Sequence, residues 1–510
     1  MALAEYFSKN LLAISQVLKG GSSEQFQSVL NNSIIGIAFD EDVEKHEGNA
    51  AIDLTIRLVS RLYPKLNFIS LGSKNGSLTR FQNLAKSINS KIEFVSEEPS
   101  VVIVIGRTGL ARNVTSGPVF YIGSDSWVAR FSNEIPLGSG ESLNPIGAGI
   151  AACIASSNIF RFVFSDFLDS IELDEEVSLS AISLDTEVSA TEEAYKPIDI
   201  GKIHLVGLGA IGNGFIWALT NSPTLKGSIN IIEPEELSLS NLQRYVLAEE
   251  KHIGKSKLEI ANEFLKPLKL SSFLTKGDWS EYLKIDGQWK NETVIIAIDN
   301  ANDRIGIQAS LPKTLINSYT ETGVLGVVRH FNFSNEACLV CTYMPAGKRK
   351  SYSQEVADNL NLSHLERQIR DYIFYQKNAD DQLLGWVAQA NNIDLRSIEK
   401  FRGLPIQDFY SNVVCGGMLM ELRNGDNVVE HIEAPLAFQS ALAGILELSE
   451  LIIEMGKLRK QPLSNKTQFY PLQPIKSGIN PYNHTFPKDN TGRCICADQD
   501  FIDAYKTKWG

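Results

Sequence analysis

Apolar positions along this chain recur at two periods that take turns. From Gly48 a helical period places Ile52, Leu54, Ile56, Leu58, Val59 and Leu62 on one broad face, which predicts a long amphipathic helix. Shorter runs follow. Residues 67–71 read as a strand, 78–88 as a helix and 92–95 as a strand, and the unbroken apolar runs 101–105 and 118–122 read as two more strands. A helix rich in small residues, 144–164, closes the stretch, and residues 1–44 read as helical and then turn-rich. Alternation of this kind is the signature of an α/β fold.

The pattern then starts again. Residues 166–199 are mostly acidic, alternate over 179–188, and read as an edge strand plus linker. A second α/β unit begins at Lys202 and runs to about Tyr343. Residues 345–433 are polar and helix-forming, 435–453 form another apolar small-residue helix, and the tail from 460 to 510 holds several prolines. The two small-residue helices each close an α/β unit and mark a candidate internal duplication, although no short repeat is visible.

Composition narrows the class. A chain of 510 residues is too long for one ordinary core and predicts two to four domains. Hydrophobic content of 43% with 21% charged residues fits a globular protein, and a net charge of −12 argues against a nucleic-acid surface. The sequence shows no apolar run of the roughly 20 residues needed to span a bilayer. The first 21 residues lack the basic start and apolar core of a signal peptide, so the expected location is the cytoplasm, with no membrane partner. Six cysteines make no disulfide framework, and paired cysteines in a reducing compartment point to metal or catalysis.

The chemistry-bearing motifs sit in the second unit. Residues 203–207 form an apolar strand that runs into Gly207-Leu-Gly209-Ala-Ile-Gly212 and then a helix. This is a G-x-G-x-x-G turn in a strand–turn–helix setting, where the backbone can approach a phosphate at the helix N-terminus. A second strand, 228–232, ends at Glu233, placed to meet ribose hydroxyls. These features alone fit an NAD-dependent oxidoreductase. The following residues do not: Ser240-Asn241-Leu242-Gln243-Arg244, then Gly254 to Lys257, then the strand 294–298 ending in Asp299-Asn300, with Arg304 beyond. Arg and Lys suit a polyphosphate and Asp suits Mg²⁺, and a hydride-transfer site needs no such set.

With these motifs on the page, residues 201–345 resemble the adenylation domain of ubiquitin-activating enzymes and of the relatives that adenylate sulfur-carrier proteins in molybdopterin and thiamine synthesis. The matched elements are the glycine turn, Glu233 where the family usually has Asp, S-N-L-x-R from Ser240 to Arg244, G-x-x-K from Gly254 to Lys257, and D-N-x-x-x-R from Asp299 to Arg304. The resemblance implies that ATP is bound by Gly207, Gly209, Gly212, Glu233, Asn241, Arg244, Lys257, Asp299, Asn300 and Arg304. Glu233 would contact ribose; Asn241, Arg244 and Lys257 would hold phosphates; Asp299 would bind Mg²⁺. Arg244, Lys257 and Asp299 would act in catalysis. Tyr245 departs from the family, which commonly has Gln there.

Four of the cysteines form two close pairs. Cys338 and Cys341 make a C-x-x-C, and Cys494 and Cys496 make a C-x-C. Four thiolates are the set for a closed structural Zn²⁺ site. Cys153, in the Ala-rich helix, reads as a small core residue. Cys415 is the one cysteine of the 345–433 segment, with two glycines after it. The resemblance implies that an inserted helical segment carries the cysteine that takes the acyl group from AMP as a thioester, and Cys415 is that candidate. The other reading of Val-Val-Cys-Gly-Gly-Met-Leu-Met is a buried apolar segment.

The fold implied is α/β, with two Rossmann-like adenylation units, the first degenerate and the second active, and a helical cysteine-bearing insertion. Its division is 1–190 as an inactive adenylation-like domain, 191–344 as the active domain's N-terminal part, 345–433 as the catalytic-cysteine insertion, and 434–510 as the completion with a zinc-binding tail. The family pairs two such units, so an internal pseudo-dimer is expected, with further homodimerisation left open. An arginine of the partner unit reaches ATP in that family; Arg57 and Arg61 are the candidates, beside the plain reading of a solvated helix face. In the first unit, residues 106–109 (Gly-Arg-Thr-Gly) stand as a relic of a turn. The expected partners are a ubiquitin-like protein and a separate conjugating enzyme, since nothing in residues 1–44 reads as either. The layout is similar to activating enzymes of bacterial ubiquitin-like conjugation operons, some linked to antiviral defence. Two other readings stay open: a sulfur-carrier adenylyltransferase without cysteine transfer, and a non-catalytic scaffold subunit.

Overall fold

The computed structural model describes residues 7–18, 21–72, 76–169, 171–186, 188, 195–285, 287, 289–344, 351–410, 413, 435–479 and 481–510. They fall into two compact bodies, Gln27–Met344 with Pro435–Gly510, and Phe7–Phe26 with Pro345–Ala434.

The helices α1 (Phe7–Val17) and α2 (Ser23–Asn32) come first. The first sheet follows, from β1 (Ile35–Phe39), α3 (His46–Val59), β2 (Lys65–Ser70), α4 (Gly76–Ile88), β3 (Glu93–Phe94), β4 (Val101–Ile105), β5 (Val119–Asp125), β6 (Val128–Ser132), α5 (Ile146–Val163) and β7 (Glu176–Ser180). Its strand order is β3-β2-β1-β4-β5-β6-β7, parallel through β5 and antiparallel beyond. The all-apolar strand β4 is central and buried along its whole length, as a parallel strand covered on both faces must be.

The second sheet is built from β8 (Asp199–Val206), α6 (Ala210–Thr220), β9 (Lys226–Ile232), α7 (Lys257–Leu265), β10 (Ser271–Thr275), α8 (Trp279–Leu283), β11 (Thr293–Ile296), α9 (Ala301–Ala309), β12 (Thr314–Glu321) and β13 (Val324–His330). After α10 (Leu339–Thr342) the chain enters the helical body: α11 (Tyr352–Asn359), α12 (Glu366–Phe374), α13 (Asp381–Asn391), α14 (Leu395–Ile398) and α15 (Ile406–Tyr410). It then returns as α16 (Ala437–Gly456), β14 (Lys466–Phe469), β15 (Asn483–His484) and α17 (Gln499–Trp509). The order here is β10-β9-β8-β11-β12-β13-β14-β15, again parallel through its first five strands and antiparallel after them.

The two sheets therefore share one topology. In both, the third-from-edge strand comes first in the chain, five parallel strands lead into antiparallel ones (two in the first sheet, three in the second), and a long helix lies between the first two of these: β6–α5–β7 and β13–α16–β14. The fold is α/β with two Rossmann-like units, as the sequence implies. The duplication is present in strand order, and the helical segment occupies the link between β13 and α16. The antiparallel hairpins β5–β6 and β12–β13 were not legible in the apolar pattern. Residues 7–26 belong with 345–434 and not with the first α/β unit, which corrects their placement in a 1–190 domain.

The units meet through α5 and α16, which pack on each other while α5 lies on β5 and β6 and α16 on β12 and β13. Both helices are buried over nearly their full length; most of their residues are small or apolar, and the buried Glu450 of α16 is paired with Arg329 and Arg459. By length and composition α5 could cross a membrane, but 89% of it is covered inside the fold. Small residues allow the closest approaches. A Cβ on Gly444 of α16 would stand 2.2 Å from the Ile211 carbonyl oxygen and 2.5 Å from the Phe215 nitrogen of α6. Side chains reach across as well: Trp217 Nε1 donates to Asp53 Oδ2 at 2.8 Å.

The helical body has its own core, in which Val356, Ile369, Tyr372, Leu383, Leu384, Val387 and Phe409 are buried together with Val413.

Gly444→Ala should force α6 and α16 apart, since the obstructing atoms are backbone. An overpacked site of this kind costs roughly 1–3 kcal/mol, and the thermal unfolding midpoint should fall accordingly; an unchanged midpoint would show that the helix pair is not close-packed.

Candidate functional site

Strand order reverses between β8 and β11, and in open parallel sheets ligands bind beyond the strand ends at such a switch. The glycine turn lies there. Gly207 has φ +96°, and a Cβ on it would meet Ile298 Cγ2 at 2.6 Å and the Ala297 oxygen at 2.7 Å, so no other residue fits between the ends of β8 and β11. Gly209 stands at the N-cap of α6 and Gly212 in its first turn.

Glu233, at the end of β9, folds back onto this turn. Its Oε2 accepts from the Leu208 amide at 2.6 Å and its Oε1 from the Glu235 amide at 2.9 Å. Burial pushes its carboxyl above the ordinary carboxylate value, while Lys257 and the Leu208 amide pull it down. In this structure Glu233 buttresses the glycine turn through the Leu208 amide. Lys257, at the start of α7, sits 3.7 Å from Glu233 Oε1 and 2.5 Å from Glu235 Oε2. Burial opposes its charge, but Tyr245, Glu233 and Glu235 outweigh that and hold the ammonium above its ordinary value.

Tyr245 collects the cations. The Lys257 ammonium lies 5.3 Å, and the Arg244 guanidinium 5.7 Å, from its ring centre, within range of cation–π attraction. Arg244 also donates to Gln243 Oε1 at 3.3 Å, and Gln243 donates to the Pro435 oxygen at 3.2 Å, where the chain returns from the helical body. Asn241 turns its Oδ1 to the Ser238 amide and so caps the short helix Leu239–Gln243.

Beyond β11, Asp299 and Asn300 are exposed. Asn300 caps α9, accepting from the amides of Asn302 at 2.7 Å and Asp303 at 3.1 Å. Burial and the charges of Asp278 and Asp299 raise the Asp303 carboxyl, so negative charge gathers at this strand end. Arg304 does not join the phosphate residues. Its guanidinium is buried and donates to the carbonyls of Ile298 and Ser318 and to the Tyr343 hydroxyl. It fixes the turn that carries Asp299.

Arg57 and Arg61 are likewise no solvated face and no open cations. Both are buried, and both donate to backbone carbonyls of the segment after Asn241. Asn213 was missed in the sequence. Its Nδ2 donates to the Leu208 and Gly209 oxygens at 3.0 Å each, and its Oδ1 accepts from the Leu247 amide at 3.3 Å, tying the glycine turn to that same segment. Nothing in the motif spacing marks it, since an Asn early in a helix is ordinary.

In the first unit the same place is filled from within. Asp40, following β1, accepts from the amides of Arg107 at 2.7 Å and Thr108 at 2.8 Å and from the Thr108 hydroxyl. Asp42 accepts from the Ser139 amide at 3.0 Å, and Glu47 from the amides of Ser126 and Ser142. The donors that a nucleotide phosphate would use are spent on the chain's own carboxylates.

The sulfur atoms of Cys338, Cys341, Cys494 and Cys496 all lie within 4.8 Å of one another and are buried. Three of the contacts are 3.5 Å, too long for a disulfide and close to the edge of a tetrahedron of thiolates about 2.3 Å from a central ion. The Asp489 amide points at Cys341 Sγ at 3.4 Å and helps to hold it as thiolate. The donor set fits a metal ion, and it fastens residues after 489 to α10. Cys153 is 1% exposed in α5, with its thiol pushed up by burial. Cys415 lies outside the described residues; Val413, two positions before it, is buried in the helical core.

The ThiF family model matches residues 185–477, and the model described as prokaryotic E2 family C matches residues 38–165. The y4jF protein of Sinorhizobium fredii is 37% identical over 515 residues, covering 100% of this chain and 98% of that protein. Among solved structures, the chain is similar to E. coli MccB with MccA-N7isoASN (TM-score 0.35, 15% identity, 57% of this chain and 66% of that one). It is also similar to E. coli MccB with AMPCPP and selenomethionine MccA (TM-score 0.35, 15% identity, 57% and 65%). The chain thus spans just under two thirds of the length of those structures.

Lys257→Met strands the Glu233 carboxylate, and loss of one partner of a buried pair costs on the order of 3 kcal/mol. Because the folded state already raises the Glu233 pKa, the penalty belongs to its charged form: it is full at pH 8 and shrinks as the pH falls toward the ordinary 4.5. Denaturant melts at pH 8 and pH 5 check this, and an equal loss at both would mean that Lys257 serves packing alone.

Proposed function

Because the chain belongs to the ThiF family of E1-like adenylyltransferases, we propose that it activates the C-terminus of a ubiquitin-like protein with ATP and carries the product as a thioester on Cys415. One observation carries the reading. Arg244 and Lys257 both lie within cation–π range of the Tyr245 ring beside the glycine turn, and Lys257 is joined through Glu233 to the turn's own Leu208 amide. A paired cationic site on a phosphate-binding turn serves a polyphosphate and has no use in hydride transfer.

In the reaction, a carboxylate oxygen of the protein substrate attacks the α-phosphorus of ATP. A carboxyl–phosphate anhydride forms, the bond between the α-phosphorus and its bridging oxygen breaks, and pyrophosphate leaves. Arg244 and Lys257 offset the charge that develops, and the glycine turn and the α6 N-terminus orient the nucleotide. Asn241 lies beside Arg244 on the same segment. Asp299 and Asp303 form an oxygen-only, crowded acidic end that suits Mg²⁺, and Asn300 holds their turn in place. Mg²⁺ supplies charge neutralisation on the phosphates when bound.

The second step falls to Cys415. Its thiolate attacks the acyl carbon, the thioester forms, AMP leaves, and the thiol proton goes to solvent. Transfer then passes to a separate conjugating enzyme. The span matched to the E2 family offers no alternative carrier, because Cys153 is its one cysteine and lies buried within α5. Zn²⁺ is the ion the four-thiolate cluster suits, closed and structural, with no part in the chemistry. We place the system among cytoplasmic bacterial ubiquitin-like conjugation pathways of the antiviral kind.

The test mixes the chain with MgATP and the small ubiquitin-like protein encoded nearest to it. ATP–pyrophosphate exchange should appear, and Arg244→Ala and Asp299→Asn should each lower it by about a hundred-fold or more. Cys415→Ala should keep exchange and lose the thiol-sensitive mass gain of the adduct. Exchange without any adduct in the unmodified protein would make it a sulfur-carrier type adenylyltransferase, and no exchange with an intact partner would leave a scaffold.

Elemental analysis should find about one zinc per chain, and Cys494→Ser with chelator should release it and free the C-terminal tail to protease. A full complement of free thiols in freshly purified protein, with no metal, would sink the assignment.

A further inference from the structure

We propose that Arg57 and Arg61, in the unit without a nucleotide motif, are positioning residues for the phosphate-binding segment of the other unit. The inference rests on the nucleotide reading above and adds to it the reason why the first unit is present.

Asp53 and Arg57 stand one turn apart on α3, and Arg61 follows in the next turn. Asp53 Oδ2 accepts from Arg57 Nε at 2.9 Å and from Trp217 Nε1 of α6 at 2.8 Å, which anchors this face of α3 to the second unit. Arg57 Nη1 then donates to the Val246 oxygen at 3.1 Å, and its guanidinium lies 5.7 Å from the ring of Phe264 on α7, the helix that Lys257 begins. Arg61 goes further. Its Nη1 donates to the Leu242 oxygen at 2.9 Å, and its Nη2 to the oxygens of Val246 and Ala248, both at 2.8 Å.

The three carbonyls held by Arg61 flank Arg244 and Tyr245. After the short helix Leu239–Gln243 this segment has no sheet or helix ladder to fix it. Its own amides close only local turns, Tyr245 on the Asn241 oxygen at 3.1 Å and Ala248 on the Tyr245 oxygen at 2.9 Å, and the carbonyls of Leu242, Val246 and Ala248 take donors from outside the segment. A guanidinium presents its donors in one rigid plane, so three carbonyls bound to it are fixed relative to one another. Arg61 is 1% exposed, and enclosing a cation is costly unless its hydrogen bonds are made. From the other side Asn213 and Gln243 hold the same segment to the glycine turn and to Pro435. The orientation of Arg244 toward a phosphate is thus set by four side chains, two of which come from α3 and the turn after it.

The experiment compares the full chain with Arg61→Lys and Arg61→Ala. It reads the dissociation constant for MgATP by equilibrium dialysis, and amide exchange over residues 239–248 against α13 as reference. Lysine keeps the charge and loses the planar fork. Both variants should weaken ATP binding by about ten- to a hundred-fold, the scale of a small misplacement. Exchange should quicken in 239–248 and stay as in the unmodified chain in α13. An anchor with a purely structural role would lower the unfolding midpoint and leave the ATP affinity of the folded chain intact; that result, or unchanged exchange over 239–248, overturns the proposal. If the unmodified chain itself binds no ATP, the nucleotide reading fails, and the exchange pattern still decides whether Arg61 shapes the segment. Should Arg61→Ala not fold, Arg61→Lys carries both readings.

Discussion

The contact of α16 with α6 at Gly444 governs the rest of the molecule. A helix buried over nearly its full length has to be covered on several sides. For α16 the cover is β12 and β13 on one face, α6 on another and α5 on a third. Only a residue without a side chain lets α6 come that close. Once α16 is fixed in this way, α5 is fixed against it, and with α5 come its sheet and α3. The far end of α3 then delivers Arg57 and Arg61 to the segment beside the glycine turn. The four-cysteine cluster of the tail, by contrast, depends on α10 and the residues after 489 and stands apart from this chain of contacts.

The two α/β units are a controlled comparison within one chain, because they share a strand order. At the end of β8 the backbone passes through glycines and leaves amides and a helix N-terminus facing the switch point. At the end of β1 the equivalent place holds Asp40, Asp42 and Glu47, whose oxygens take up the amides of Arg107, Thr108, Ser126, Ser139 and Ser142. An anion-binding geometry has been kept and filled with fixed anions. A free phosphate would have to displace carboxylates that are already bonded. The glycine turn of residues 106–109, which reads as a relic in the sequence, survives because its amides now bond Asp40.

What was legible in the sequence followed from local constraints. Gly207 had to be glycine where β8 and β11 nearly touch, and the CxxC and CxC pairs had to converge if they were to share an ion. The alternation of periods gave the parallel strands. The hairpins escaped because an antiparallel strand buried on both faces, such as β6, carries no alternation. Residues whose role depends on a distant partner were less legible. Arg304 lies in a motif that reads as phosphate-binding, yet Ile298 and Ser318 claim its donors. Arg57 read either as an ATP candidate or as a solvated face because one of its acceptors, the Val246 oxygen, lies 189 residues away. Glu233 is one methylene longer than the family's Asp, and that length is what lets it turn back to the Leu208 amide.

The first unit has its strand end filled with carboxylates and holds no accessible thiol among its described residues, yet it cannot be dispensed with. Removing it would uncover the face of α16 that α5 now buries, and would withdraw the donors that satisfy the carbonyls of Leu242, Val246 and Ala248. Both losses fall on the second unit, the first on its core and the second on its phosphate segment. The second unit therefore depends on α3 and α5 directly, while the strand ends of the first unit take no part in that contact. A strand-end filled with carboxylates and an intact scaffold are then compatible within a single interface.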